Sequence, residues 1–160
     1  MADEHPNVQR VAAAAEQLGL AISVVEYPDG TRTAVDAAAA VGCDVAQIVK
    51  SLVFDLDGSP CLALVAGDRR LVTDRLAEAL GGTTVARADA DAVRAATGYP
   101  IGGVPPIGHA TKLPVALDRS LLDHATVWAA AGTPRHVFEV EPAALFGAVG
   151  GPVADLGEPG

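Results

Sequence analysis

Two apolar runs facing each other across a turn constrain this chain more than any other feature. Residues 49–55 read Val-Lys-Ser-Leu-Val-Phe-Asp and residues 61–66 read Cys-Leu-Ala-Leu-Val-Ala, with Asp57, Gly58, Ser59 and Pro60 between them. Such turn residues between two strand-like runs predict a β-hairpin. A strand wetted on one face alternates apolar and polar residues; these two are almost continuously apolar, so the hairpin is expected to be buried on both faces of a curved sheet. Only six aromatic residues are available (Phe54, Phe138, Phe146, Tyr27, Tyr99 and Trp128), so the core must be built mainly from Ala, Val and Leu.

The rest of the chain reads as short elements separated by punctuation. Asn7 is placed to cap a helix over 8–18 that ends at Gly19, and 21–26 reads as a strand. Thr33 suits the N-cap of a helix over 35–41 stopped by Gly42, and a helical turn at 44–48 leads into the hairpin. An edge segment at 68–71, a helix over 73–80 before Gly81 and Gly82, a strand at 84–87 and a helix at 89–96 follow. Strands are expected at 114–118, 126–130 and 135–140, with a turn or short helix at 119–124. Pro142 opens the last helix, and residues 157–160 are expected to fray. No regular βαβ repeat, internal repeat or linker is visible. The expectation is therefore one α/β (α+β) domain over 1–160, with a mixed or antiparallel sheet that could close on itself.

Charge and cysteine content narrow the function. A net charge of −9 with only two lysines, Lys50 and Lys112, argues against general binding along a nucleic acid but leaves room for a small local basic site. Cys43 and Cys61 are too few for a metal cluster, and His5, His109, His124 and His136 stand in no ligand spacing, so no metal and no cofactor are expected. The start lacks a signal-peptide pattern and no apolar run approaches the ~20 residues that span a bilayer, which makes a reducing cytoplasm the default.

Phosphate-loop, dinucleotide and nucleophile-elbow motifs are missing, so no side-chain nucleophile is indicated. Lys50 stands out because it enters a buried strand. It can hold a phosphate or carboxylate as a point charge, or its stem can simply snorkel to solvent. Residues 102–108 read Gly-Gly-Val-Pro-Pro-Ile-Gly. The glycines allow close approach of backbone to a ligand and the prolines freeze the shape, so amide N–H groups could await an oxyanion; the alternative is a rigid surface loop. Thr33 reads more as a helix cap, His136 as a packed core histidine, Asp118 as a cap for the turn after it, and Cys61 as a small buried hydrophobe.

Five blocks in order make the chain similar to a known family: Thr33-Ala-Val-Asp-Ala-Ala-Ala-Ala, Gln47-Ile-Val-Lys-Ser-Leu-Val-Phe, Leu62-Ala-Leu-Val-Ala-Gly-Asp, Thr97-Gly-Tyr-Pro-Ile-Gly-Gly-Val-Pro-Pro-Ile-Gly-His, and Asp118-Arg-Ser-Leu-Leu. It resembles the YbaK, or prolyl-tRNA-synthetase-associated, editing domains, and the resemblance puts the domain core at about residues 8–156. The resemblance implies a mixed, barrel-like sheet surrounded by helices, and hydrolysis of the ester joining a wrong amino acid to the 3′-terminal adenosine of tRNA. For many relatives the substrate is tRNA for proline carrying alanine or cysteine. The family lysine falls on Lys50 and its Gly-x-x-x-Pro motif on residues 102–106. By that analogy Lys50 anchors the 3′ end, amides near Gly102 and Gly103 polarise the carbonyl, and the ribose 2′-OH or a substrate thiol assists a water. Tyr27, Thr33, Ser51, Val104, Pro105, Pro106, Gly132, His136 and Val137 match positions lining the family's pocket, although Val137 stands where some relatives carry an aspartate.

The expected partners are mischarged aminoacyl-tRNA and a synthetase or elongation factor that delivers it; no membrane is involved, and the domain is expected to be a monomer. Two other readings follow from the same residues. One is a non-catalytic module that binds tRNA ends or a synthetase; the other is a metal- or thiol-dependent hydrolase using the histidines or Cys43.

Overall fold

The computed structural model describes residues 5–160. Its elements run α1 (Pro6–Gln17), β1 (Ser23–Glu26), α2 (Ala34–Val41), β2 (Ile48–Leu56), β3 (Ser59–Ala66), β4 (Arg69–Leu71), α3 (Thr73–Leu80), β5 (Val85–Arg87) and α4 (Ala90–Thr97). There follow β6 (Val115–Asp118), β7 (Val127–Ala130), β8 (His136–Val140), α5 (Pro142–Val149), β9 (Val153–Ala154) and β10 (Gly157–Pro159), with 3₁₀ turns at Val45–Gln47 and Arg119–Asp123. The main sheet has the order β1-β8-β7-β2-β3-β6-β9, with β5 also on β2. It is mixed, as expected: β2–β7, β3–β6 and β6–β9 are parallel and its other pairs antiparallel. No helix of the described residues is long and apolar enough to cross a membrane.

The hairpin lies at the centre. β3 sends Leu62, Leu64 and Ala66 into one apolar cluster, where they meet Val11, Tyr99, Phe138 and Leu145. It sends Cys61, Ala63 and Val65 into a second cluster, against Leu76 and Leu156. All five residues from Cys61 to Val65 are fully buried, so the strand is covered on both faces. Each buried Leu or Val side chain of this kind contributes about 1.5–3 kcal/mol relative to exposure.

β2 runs beside β3 along its length, but its other edge is forked. Parallel pairing with β7 holds only Ile48 and Val49. Antiparallel pairing with β5 holds only Phe54, Asp55 and Leu56. The stretch between, Lys50 to Val53, is paired to β3 alone.

Local signals explain most boundaries. Thr33 accepts from the Asp36 amide at 3.0 Å and caps α2, which Gly42 ends in the left-handed conformation. Two expectations change. The cap of α1 is His5, whose ring accepts from the Asn7 amide, because Pro6 starts the helix two residues before the Val8 that an Asn7 cap would give. Residues 157–159 are not frayed: they form β10, antiparallel to β4.

Candidate functional site

A pocket of about 530 Å³ opens at the fork. Val49, Lys50, Ser51 and Val53 form its floor, Thr33, Ala34 and Ala37 of α2 one wall, and Ile101, Gly102 and Val104 another. Arg32, Arg87, Ala129 and Val137 complete the lining used below. Because strand side chains alternate, Lys50 leaves one face of β2 and Ser51 the other; the fork is what lets one cavity reach both.

Lys50 is half-buried, and its ammonium donates to the Arg69 carbonyl on β4. Burial pulls its pKa below the usual 10.5, while the carboxylates of Asp68 and Asp118 act the other way. Arg69 is itself fixed: Nη2 is 2.7 Å from Asp155, and Nε lies 3.6 Å from Asp118. Asp118, fully buried, accepts from the Ala66 amide at 3.3 Å and from the Ser120 hydroxyl at 3.0 Å. It does cap the turn after β6, as read from the sequence, and it also anchors the lysine's surroundings.

The loop over 100–110 is stapled at several points. The Gly103 amide donates to Pro100 at 3.0 Å and the Ala110 amide to Thr97 at 2.9 Å. Tyr99 donates its hydroxyl to Gly108 at 2.7 Å, beneath the Arg10 guanidinium, 4.6 Å from the ring centre. His109 Nε2 lies 2.7 Å from the Pro105 carbonyl, and burial lowers the ring's pKa despite that bond. At Gly102 φ is +87°, a conformation glycine adopts without strain, and the Arg32 stem lies where a Cβ would project. A Cβ on Gly103 would stand 2.8–2.9 Å from three backbone atoms of Thr133. The amides of Gly102 and Val104 have no hydrogen-bond partner among the described residues.

Of the residues singled out in the sequence, Thr33, Lys50, Ser51, Gly102, Val104 and Val137 line this one cavity. Tyr27, Gly103, Pro105, Pro106, Gly132 and His136 do not line it. The Gly103 N–H, expected near the oxyanion, is engaged by Pro100 in this structure, and the residue sets the spacing between the loop and Thr133. Gly132 sits against Asn7, whose side-chain amide donates to its carbonyl at 2.9 Å. His136 is buried, with Nδ1 2.5 Å from the Thr133 hydroxyl and Nε2 3.8 Å from Glu26. Tyr27 belongs to the turn before α2, its amide bonded to Arg135. Cys43 is no activated thiol, because burial and then Asp44 raise its pKa.

Arg32 and Arg87 were not signalled by any motif. Among the described residues neither lies within ion-pair distance of a carboxylate, whereas Arg69, Arg70 and Arg75 do. With Lys50, whose ammonium also feels Asp68 and Asp118, they supply the cationic groups of the lining, and among the described residues no Asp or Glu lines it. The arrangement suits an anionic ligand whose reactive group meets unpaired amides.

The profile of the aminoacyl-tRNA editing domain matches residues 28–147, a span that takes in every pocket residue. The proline–tRNA ligase of Geobacter sp. (strain M21) is 39% identical over 92 residues, covering 58% of this chain and 16% of the ligase, so the match spans a small part of the enzyme. Protein YwhH of Bacillus subtilis is 30% identical over 122 residues, 76% of this chain and 78% of that protein. A crystal structure described as a candidate trans-editing enzyme for prolyl tRNA synthetase superimposes with a TM-score of 0.89 at 47% identity, covering 96% of this chain and 98% of the other. Hypothetical protein APE2540 gives 0.86 at 32% identity, covering 93% and 99%.

Proposed function

This chain belongs to the aminoacyl-tRNA editing domain family, and from that premise we propose that it is a trans-acting deacylase that hydrolyses the ester of mischarged tRNA. The observation that carries the reading is the forked edge of β2, where Lys50 and the unpaired amides of Gly102 and Val104 meet in one cavity. An aminoacyl ester is already activated, so positioning and charge stabilisation suffice without a side-chain nucleophile.

In this mechanism the 3′-terminal adenosine enters the pocket with its phosphates toward Arg32 and Arg87. Lys50 donates one proton to Arg69 and keeps two for the sugar–phosphate of the substrate. Water adds to the ester carbon, and the developing oxyanion takes hydrogen bonds from the loop amides. The tetrahedral intermediate then expels the ribose 3′ oxygen, which leaves protonated, with the neighbouring 2′-OH relaying the proton from the attacking water. The substrate we favour is tRNA for proline bearing a small wrong amino acid. A synthetase rejects such an analogue by only about 1–3 kcal/mol per methylene, so a separate hydrolytic site is needed. The domain would work in the cytoplasm as a monomer, with a synthetase or elongation factor delivering the substrate.

The test is deacylation of preformed Ala-, Cys-, Ser- and Thr-tRNA for proline by wild type and Lys50→Ala. The expectation is hydrolysis of at least one ester, falling by about 100-fold or more in the variant while the fold persists. Equal rates would remove Lys50 from the mechanism. Binding of every ester without any shortening of its lifetime would make the chain a binding module instead.

A further inference from the structure

The pocket contains one polar group that the fold leaves unused. Ser51 lines the cavity, yet its Oγ is sealed from water and has no hydrogen-bond partner. The other two hydroxyls of the lining are engaged: Thr31 donates to the Pro134 carbonyl at 3.2 Å, and Thr33 accepts from Asp36. An orphaned buried hydroxyl is costly, and a single rotation about χ1 can turn a serine side chain toward a new partner.

The surroundings say what that partner can be. Ser51 shares its face of β2 with Val49 and Val53, both in the main core cluster with Val93, Val104 and Ala129. Among the described residues the lining has no carboxylate and includes Arg32, Arg87 and Lys50, so a side chain bearing a second ammonium would find no counter-ion there. A plain methyl group would leave the hydroxyl orphaned. Resting on the deacylase reading above, we infer that Ser51 is a specificity residue and that the amino acid removed carries a hydroxyl or thiol on its β carbon: serine, threonine or cysteine in preference to alanine. The Ser51 hydroxyl exchanges a hydrogen bond with that group, which has both donor and acceptor capacity to match its own.

The experiment measures kcat/KM for seryl, threonyl, cysteinyl and alanyl esters of one tRNA, with wild type, Ser51→Ala and Ser51→Thr. Wild type should prefer the polar side chains. Ser51→Ala should lower the seryl-to-alanyl ratio about tenfold, and Ser51→Thr, which keeps the hydroxyl, should restore most of it. The same ratio is read from binding of non-hydrolysable seryl and alanyl amides of 3′-amino-adenosine, so it can be judged without turnover. A ratio that Ser51→Ala does not move, or a wild type that prefers alanine, overturns the inference while leaving the deacylase reading intact. Failure of wild type to cleave any ester overturns that reading, and the binding ratio then decides the specificity claim alone.

Discussion

Placing an alanine at position 103 tests whether the loop's position is part of the catalytic apparatus. The added Cβ would lie 2.8 Å from Thr133 Cα and 2.9 Å from its N and C atoms. Carbon atoms rest at about 3.5 Å or more, so the loop or the β7–β8 turn must give way by about 0.7 Å. No side chain can swing aside to relieve the contact, because all three atoms are backbone. Overpacking of this kind costs about 1–3 kcal/mol, or roughly 2–12 °C in Tm for a domain of this size. The loop also carries the Gly102 and Val104 amides, and a misplacement approaching 1 Å lowers catalysis by about 100-fold. The assay is initial-rate deacylation at saturating enzyme, paired with a thermal melt of the same preparation. Gly102→Ala is the informative companion, because its Cβ meets the flexible stem of Arg32 and its main penalty is the φ of +87°. A Gly103→Ala protein that melts lower yet deacylates at the wild-type rate would refute the reasoning, since the loop would then move without consequence for the chemistry.

Replacing Arg32 or Arg87 with glutamine should raise KM and reduce the slope of log affinity against log salt by about 0.7 each, as expected for one lost phosphate contact on a single strand; titrations across a salt series check it. Asp118→Ala should destabilise the fold by about 3–5 kcal/mol, because it strips a buried ion pair and three hydrogen bonds, and urea unfolding measures that. Burial lowers the pKa of His109 below 6.5 in the folded chain, so the unfolded chain binds more protons as the medium acidifies. Stability should therefore fall as pH drops through about 6.5 and stay flat above it, and His109→Gln should flatten that part of the profile in urea midpoints taken between about pH 5 and 7.

What could be read in advance depended on how local its cause was. Thr33, Gly42 and the Asp57–Gly58 turn act within a few residues, so α2 and the central hairpin were legible from sequence. The two-faced burial of β3 followed from its unbroken apolar run. The partnership of β4 with β10 was not legible, because Gly157–Pro159 contains no strand signal and its partner lies far back in the chain. The fork in β2 depends on two distant strands stopping short of each other, which no window of sequence records. In the site, Lys50 and the glycine-proline loop declared themselves by unusual chemistry for their setting. Arg32 and Arg87 did not, since an arginine beside a turn or after a short strand is ordinary until the fold brings it to a pocket mouth. Gly103 was read as a catalytic amide and Gly132 as a pocket position by family analogy, and the fold adds what neither reading contained, tight packing of each against neighbouring chain.

The tie between β10 and β4 has a practical side for anyone handling the protein. The carbonyl that holds Lys50 belongs to Arg69, and Arg69 is gripped by Asp155 and by the Gly157 carbonyl from the end of the chain. An affinity tag, a fusion joint or a surface-attachment point placed at residues 155–160 would therefore pull on the lysine's mooring. Such a preparation could express well, melt cooperatively and still work poorly, and the fault would lie in the handle.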